Sequence, residues 1–122
     1  MSGLALVYGA DKEQALCGDK VNFTAWVINE TNRPVELVTL VPGAFTNEGL
    51  DNLTFTVPPT PAFLSIGGLE PGHSAERRFS YTVTLNDTAH GGTLISSMRV
   101  WAVSGHESLY DEHDATIAVL PQ

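Results

Sequence analysis

At 122 residues, with 43% hydrophobic and 16% charged side chains, the chain has the size and apolar content of one domain that folds without a disulfide or a metal. Its formal net charge of −8 disfavours nucleic acid and anionic membranes as partners, because both are polyanions. The lone cysteine, Cys17, excludes an internal disulfide, and no run approaches the roughly 20 apolar residues of a membrane-spanning helix.

The N-terminal residues lack the basic and long apolar regions of a secretory signal. With Met1 as the natural start, the chain is expected to be made and kept in the cytoplasm, or to be released by lysis. Cut from a longer secreted protein, it is one module of a cell-surface chain. Residues 1–8 read as a first strand (Leu4 to Tyr8) or as an apolar arm that adds to a neighbour's sheet edge. Gly18-Asp19 then turns into Val21 to Asn29, where Val21, Phe23, Ala25 and Val27 alternate with Asn22, Thr24, Trp26 and Ile28. Turn residues from Asn29 to Pro34 separate this strand from Val35 to Val41, which Pro42-Gly43 ends.

A loop rich in Gly, Asn and Asp leads to a strand at residues 53–57. Pro58 to Pro61 reads as an extended crossover, since proline donates nothing to a ladder, and a short strand follows from Phe63 to Ile66. After the Pro71-Gly72 turn, Ala75 to Leu85 is a long strand with Phe79, Tyr81, Val83 and Leu85 on one face. Thr93 to Val103 is expected to pair with it across residues 86–92, and Asp114 to Leu120 closes the sheet. No stretch of helical length holds a 3.6-residue apolar period. Turn signals recur about every ten residues, the rhythm of a single all-β, immunoglobulin-like Greek-key sandwich of seven to nine strands. The expected core contains Phe23, Val27, Leu37, Phe55, Phe79, Tyr81, Val83, Met98 and Val100.

The segments GDKVNFTAWVINETNRPVELVTL (18–40), LEPGHSAERRFSYTVTL (69–85), GGTLISSMRVWAV (91–103) and DEHDATIAVL (111–120) together resemble a bacterial surface-repeat domain of unknown function and the CARDB-type adhesion-related modules. The resemblance runs in order over residues 17 to 120. It rests on turn and core signals, and it implies an immunoglobulin-like scaffold and an adhesive or spacer role at a cell surface.

Three groups of residues are candidates for function. Trp26 and Trp101 fall out of phase with the core residues of their strands. Either a bulge swaps the phase and a tryptophan fills the sandwich core, or the two form an outer apolar patch with Ile28, Ile95 and Val103. On the second reading they and the arm residues Leu4, Leu6 and Tyr8 are the candidate partner-binding set. Residues His106 to Asp114 read as an acidic loop. Its carboxylates, Glu107, Asp111, Glu112 and Asp114, are a weak calcium candidate: oxygen ligands cluster there, but at the wrong spacing for an Asp-x-Asn-x-Asp-Gly loop. The expectation is therefore no metal and no cofactor. Gly-x-Ser-x-Gly, phosphate-cradling glycine and His-Glu-x-x-His patterns are all missing, so no enzyme is expected. The remaining reading is a non-enzymatic docking protein on a larger assembly. Its concrete form is a virion protein that decorates a bacteriophage capsid or tail shell, with self-association as a further partner. Adhesion modules and carbohydrate-binding modules are the alternatives.

Overall fold

The computed structural model describes residues 3–56 and 64–120. Among them are eight strands and one short helix: β1 (Leu4–Ala10), β2 (Gln14–Ala15), β3 (Lys20–Asn29), β4 (Val35–Thr46), β5 (Ser65–Leu69), β6 (Ser74–Thr82), α1 (Leu85–His90), β7 (Thr93–Ser104) and β8 (Glu107–Val119). They form two sheets, of order β1-β3-β6 and β2-β8-β7-β4-β5. The chain is thus an all-β, immunoglobulin-like sandwich. Its first strand changes sheets partway: β1 runs antiparallel to β3, and β2 crosses over to lie parallel to β8.

Period-two patterning places the core between the sheets. In β3, Val21, Phe23, Ala25 and Val27 are all buried, and in β7 so are Leu94, Met98, Val100 and Ala102. Phe23 sits in the middle of an aromatic group, with ring centroids 6.0 Å from Tyr8, 5.7 Å from Phe45 and 5.6 Å from Phe55. The last two of these contacts are edge-on, the geometry the ring quadrupoles favour.

Several expectations need correction. Leu37 is not a core residue but is 62% exposed. Between Glu36 and Thr39, β4 sets two residues, Leu37 and Val38, opposite one of β7, Ala102, and Leu37 takes a left-handed φ of 55° in that bulge. The extra residue inverts the in-out phase, so Val35 and Val38 both point inward. The long strand ends at Thr82 and does not pair with Thr93 to Val103; β6 borders β3, and β7 lies in the other sheet between β4 and β8. The connection between them is α1, whose first residue, Leu85, is exposed. A Thr84–Asp87 capping box starts this helix, and Gly91 at φ 66° ends it.

The acidic segment is not a loop. Ser104 and Glu107 are register partners across a two-residue turn, with Gly105 at φ 61°, and β8 runs on through every acidic residue. Residues 53–56 carry no strand, and the isolated bridge to Thr46 is made by Asn52, before them. The end of that expected strand, the proline crossover at 58–61 and the start of the expected Phe63 strand lie outside the described residues.

Candidate functional site

The two tryptophans point outward, Trp26 at 44% exposure and Trp101 at 40%, but from different sheets. They form no shared patch with Ile28, Ile95 and Val103; each belongs to its own face of the sandwich.

Trp26 stands on the three-stranded face, directly across from Val7, with Thr24 across from Gly9. Because Gly9 carries no side chain, a hollow of about 250 Å³ opens there, lined by Val7, Gly9, Ala10, Asp11, Thr24 and Trp26. Asp11 closes one end. Its carboxylate accepts hydrogen bonds from Asn22 N at 2.9 Å and Asn22 Nδ2 at 2.8 Å, while its own amide donates to Asn22 O at 2.9 Å. The slight burial of this carboxyl opposes ionisation, but the Asn22 bonds and the charge of Lys12 outweigh it, holding the group below the usual aspartate range. On the other side of Trp26 stands Glu76, ion-paired with Arg78 at 2.7 Å.

Trp101 stands on the five-stranded face, flanked in register by Tyr110 on β8 and Thr39 on β4. One step along, Arg99 lies between Val41 and Glu112, and its Nε donates to Glu112 Oε2 at 2.8 Å. The Tyr110 hydroxyl donates to the same carboxylate oxygen at 3.2 Å. Its pKa is raised, first by desolvation and then by this carboxylate. Leu37, Val41, Ile95, Trp101 and Tyr110 are all exposed, so this face presents large apolar groups around one charged pair.

The other sequence candidates are placed differently. Leu4, Leu6 and Tyr8 are buried core residues of β1, so they are withdrawn as partner contacts; of the arm, Val7 is the side chain that faces out. Tyr8 donates to or accepts from Ser96 Oγ at 2.8 Å, and burial pushes its pKa up to about 12 against that bond. The four acidic residues are spread along a strand and do not converge. Asp114 accepts from Ser97 Oγ at 2.7 Å, Glu112 is held by Arg99, and Asp111 faces the other way, accepting from Leu6 N at 2.8 Å. Among the described residues no group of three or more His, Cys, Asp or Glu side chains is positioned to hold a metal ion.

A polar knot ties α1 to the end of β4. Buried Asp87 accepts from Tyr81 Oη at 2.6 Å, Asn47 Nδ2 at 3.0 Å and Thr84 N at 3.0 Å. Burial works against its charge, yet these bonds prevail and its pKa is lowered. Burial and the Asp87 carboxylate push the Tyr81 hydroxyl well above its ordinary value. These bonds join the end of β6, the start of α1 and the turn after β4, and Asn47 Nδ2 reaches on to Asp51 Oδ2 at 3.2 Å, which makes the knot a structural element of the sandwich end.

Sequence reading found both tryptophans but missed Gly9, Asp11 and Thr24 beside one, and Tyr110, Val41 and Thr39 beside the other. Their proximity comes from the β1–β3, β4–β7 and β7–β8 registers, which no local pattern encodes.

No protein-family profile matches the chain, and no curated protein sequence does. Similar folds occur among solved structures. A family 123 glycoside hydrolase from Clostridium perfringens, described for glycolipid glycan hydrolysis, is 21% identical, with a TM-score of 0.61 over 95% of this chain and 23% of that one. The C-terminal domain of wzt is 15% identical, with a TM-score of 0.62 over 100% of this chain and 76% of that one. The alkylpurine DNA glycosylase AlkC of Pseudomonas fluorescens is 10% identical, with a TM-score of 0.52 over 98% of this chain and 31% of that one. The chain therefore spans only about a quarter of the hydrolase and a third of the glycosylase. At these identities the likeness is one of fold: the chain is an immunoglobulin-like β-sandwich of a kind that recurs as one part of larger proteins.

Proposed function

We propose that this chain is a non-enzymatic docking protein that seats the outer face of its five-stranded sheet on another protein. The observation that carries this reading is the pairing of exposed Trp101 with exposed Tyr110 in the middle of that face. Tryptophan, tyrosine and arginine are the residues that most often dominate interface energy, and here Arg99 completes the set one register step away. The Arg99–Glu112 pair supplies polar groups beside the apolar ones, the usual composition of an interface that must also be stable in water. The formal charge of −8 favours a partner surface that is neutral or basic.

The partner we propose is a large protein assembly such as a phage capsid or tail shell. An array of equivalent sites lets a modest interface act through number, so each copy needs little affinity for the set to add cohesion. The test is co-sedimentation of the purified chain with native particles from its source. The wild-type chain is expected in the particle pellet, and the Trp101→Ala/Tyr110→Ala variant in the supernatant with an unchanged melting temperature. Equal pelleting of the two, or absence of the chain from particles by mass spectrometry, would reject the reading.

A further inference from the structure

The hollow beside Trp26 is on the face opposite the proposed docking surface, so its role stands or falls separately. Three features define it. Its wall is a half-exposed indole. Its floor is Gly9, where an added Cβ would meet no atom within 4 Å. Its end is a carboxylate whose two oxygens are fixed by the backbone and side chain of Asn22, leaving further lone pairs to accept. An apolar plate, a bare floor and one oriented acceptor form a site for a flat ligand with an apolar face and a rim of donors.

We propose that this hollow binds a neutral pyranose unit of a glycan chain, with the ring over Trp26 and its hydroxyls donating to Asp11. A sugar ring has this construction: C–H groups on its faces and O–H groups at its edge. The volume of about 250 Å³ lies just under the range of roughly 300–1,000 Å³ typical of small-molecule pockets, which suits one ring of a longer chain. The charge at Asp11, backed by a net charge of −8, turns away uronates, sialylated glycans and nucleotides. Thr24, beside Trp26 on β3, adds a hydroxyl that both donates and accepts. Gly9 is the specificity device. It lies in an edge strand, where an added Cβ would meet no atom of the protein within 4 Å, so the space above it is open to a ligand.

The experiment uses the full chain with Trp101→Phe, which leaves Trp26 as the only tryptophan fluorophore. Neutral gluco-, galacto- and manno-configured tetrasaccharides are titrated up to about 10 mM, a ceiling set by the weak affinity one stacked ring supplies. At least one is expected to give a saturable change in Trp26 emission. Gly9→Val, a substitution that fills the floor and suits a strand, is expected to weaken it about tenfold or more without lowering the melting temperature. Amide shifts in the unsubstituted chain are expected to centre on Gly9, Asp11 and Thr24, a readout that needs no variant to fold. No saturation by any neutral tetrasaccharide, full binding by Gly9→Val, or a proline-rich peptide saturating the hollow where sugars fail would each overturn the proposal.

Discussion

Asp111 on β8 accepts a hydrogen bond from the backbone amide of Leu6 on β1, 2.8 Å away and in the other sheet. A side chain thus satisfies an amide that β1, as an edge strand, cannot offer to a neighbouring strand. Unpaired edge amides invite pairing with other chains, and a carboxylate placed on one both occupies and charges the edge. Asp111→Ala is expected to cost about 1–3 kcal/mol, the loss that follows when a buried donor is left unmet. Native-state hydrogen exchange checks this: the Leu6 amide should exchange faster in the variant, while amides in β7 keep their protection. Unchanged exchange at Leu6 would mean that the bond contributes nothing.

The Asp87 knot predicts an acid limb. Its native pKa is depressed, so the folded state binds fewer protons than the unfolded one in acid. The stability this group contributes is present above the ordinary aspartate value of about 4 and is lost as pH falls through the lowered native value. Denaturant titrations from pH 7 to pH 2 should show unfolding free energy dropping below about pH 4. Asp87→Asn should flatten that limb while costing about 1–3 kcal/mol at pH 7, because Tyr81 and Thr84 donate to one carboxylate oxygen and Asn47 Nδ2 to the other, and an amide that accepts from the first two turns its NH2 group on the Asn47 donor. An acid limb of undiminished slope in the variant would place the responsible group elsewhere.

Leu37 offers a gain in stability. A leucine at φ 55° bears the left-handed penalty that glycine does not, and its side chain is mostly exposed, so little packing is at stake. Leu37→Gly is expected to raise unfolding free energy by about 0.5–1 kcal/mol, after allowing for the entropy glycine adds to the unfolded chain. Leu37→Ala, which keeps the penalty, is the control. A glycine variant no more stable than the alanine one would refute the strain.

Calcium should leave the fold untouched. Glu112 and Asp114 share a strand face while Asp111 turns inward to Leu6, so no set of oxygens converges as a calcium ion requires. The melting temperature is expected to be the same with EDTA and with millimolar calcium. A rise of several degrees that Glu112→Gln removes would contradict this, since stabilisation by a ligand requires binding to the native state.

What the sequence disclosed and what it hid divide along one physical line. Alternation is local, so the phases of β3 and β7 were readable, but whether the out-of-phase tryptophans faced water or filled the core through a bulge was left to the structure, which turns both outward. A bulge breaks that phase with one residue, and nothing in Glu36-Leu37-Val38 marks which residue is extra. Sheet membership depends on partners far along the chain. A Gly-Gly turn between two alternating segments suggests a hairpin, yet β6 and β7 lie in different sheets. One overlooked signal was present: Thr84-Leu85-Asn86-Asp87 is a capping-box pattern, and it announces the helix that carries the chain from one sheet to the other. The groove beside Trp26 had no such signal, because Gly9 and Asp11 reach it only through the β1–β3 register.

The parallel pairing of β2 with β8 has a mechanical meaning. The chain enters β2 from its N-terminal side and leaves β8 toward its C-terminal side, and the two strands run in the same direction, with Ala118 N donating to Glu13 O at 2.9 Å and Leu120 N to Ala15 O at 3.0 Å. Tension between the start of β2 and the end of β8 therefore slides these strands past each other, loading their bonds together, whereas an antiparallel hairpin pulled from its open end would yield one bond at a time. The short β2–β8 pairing thus meets a pull along the strands in shear, with its bonds strained together.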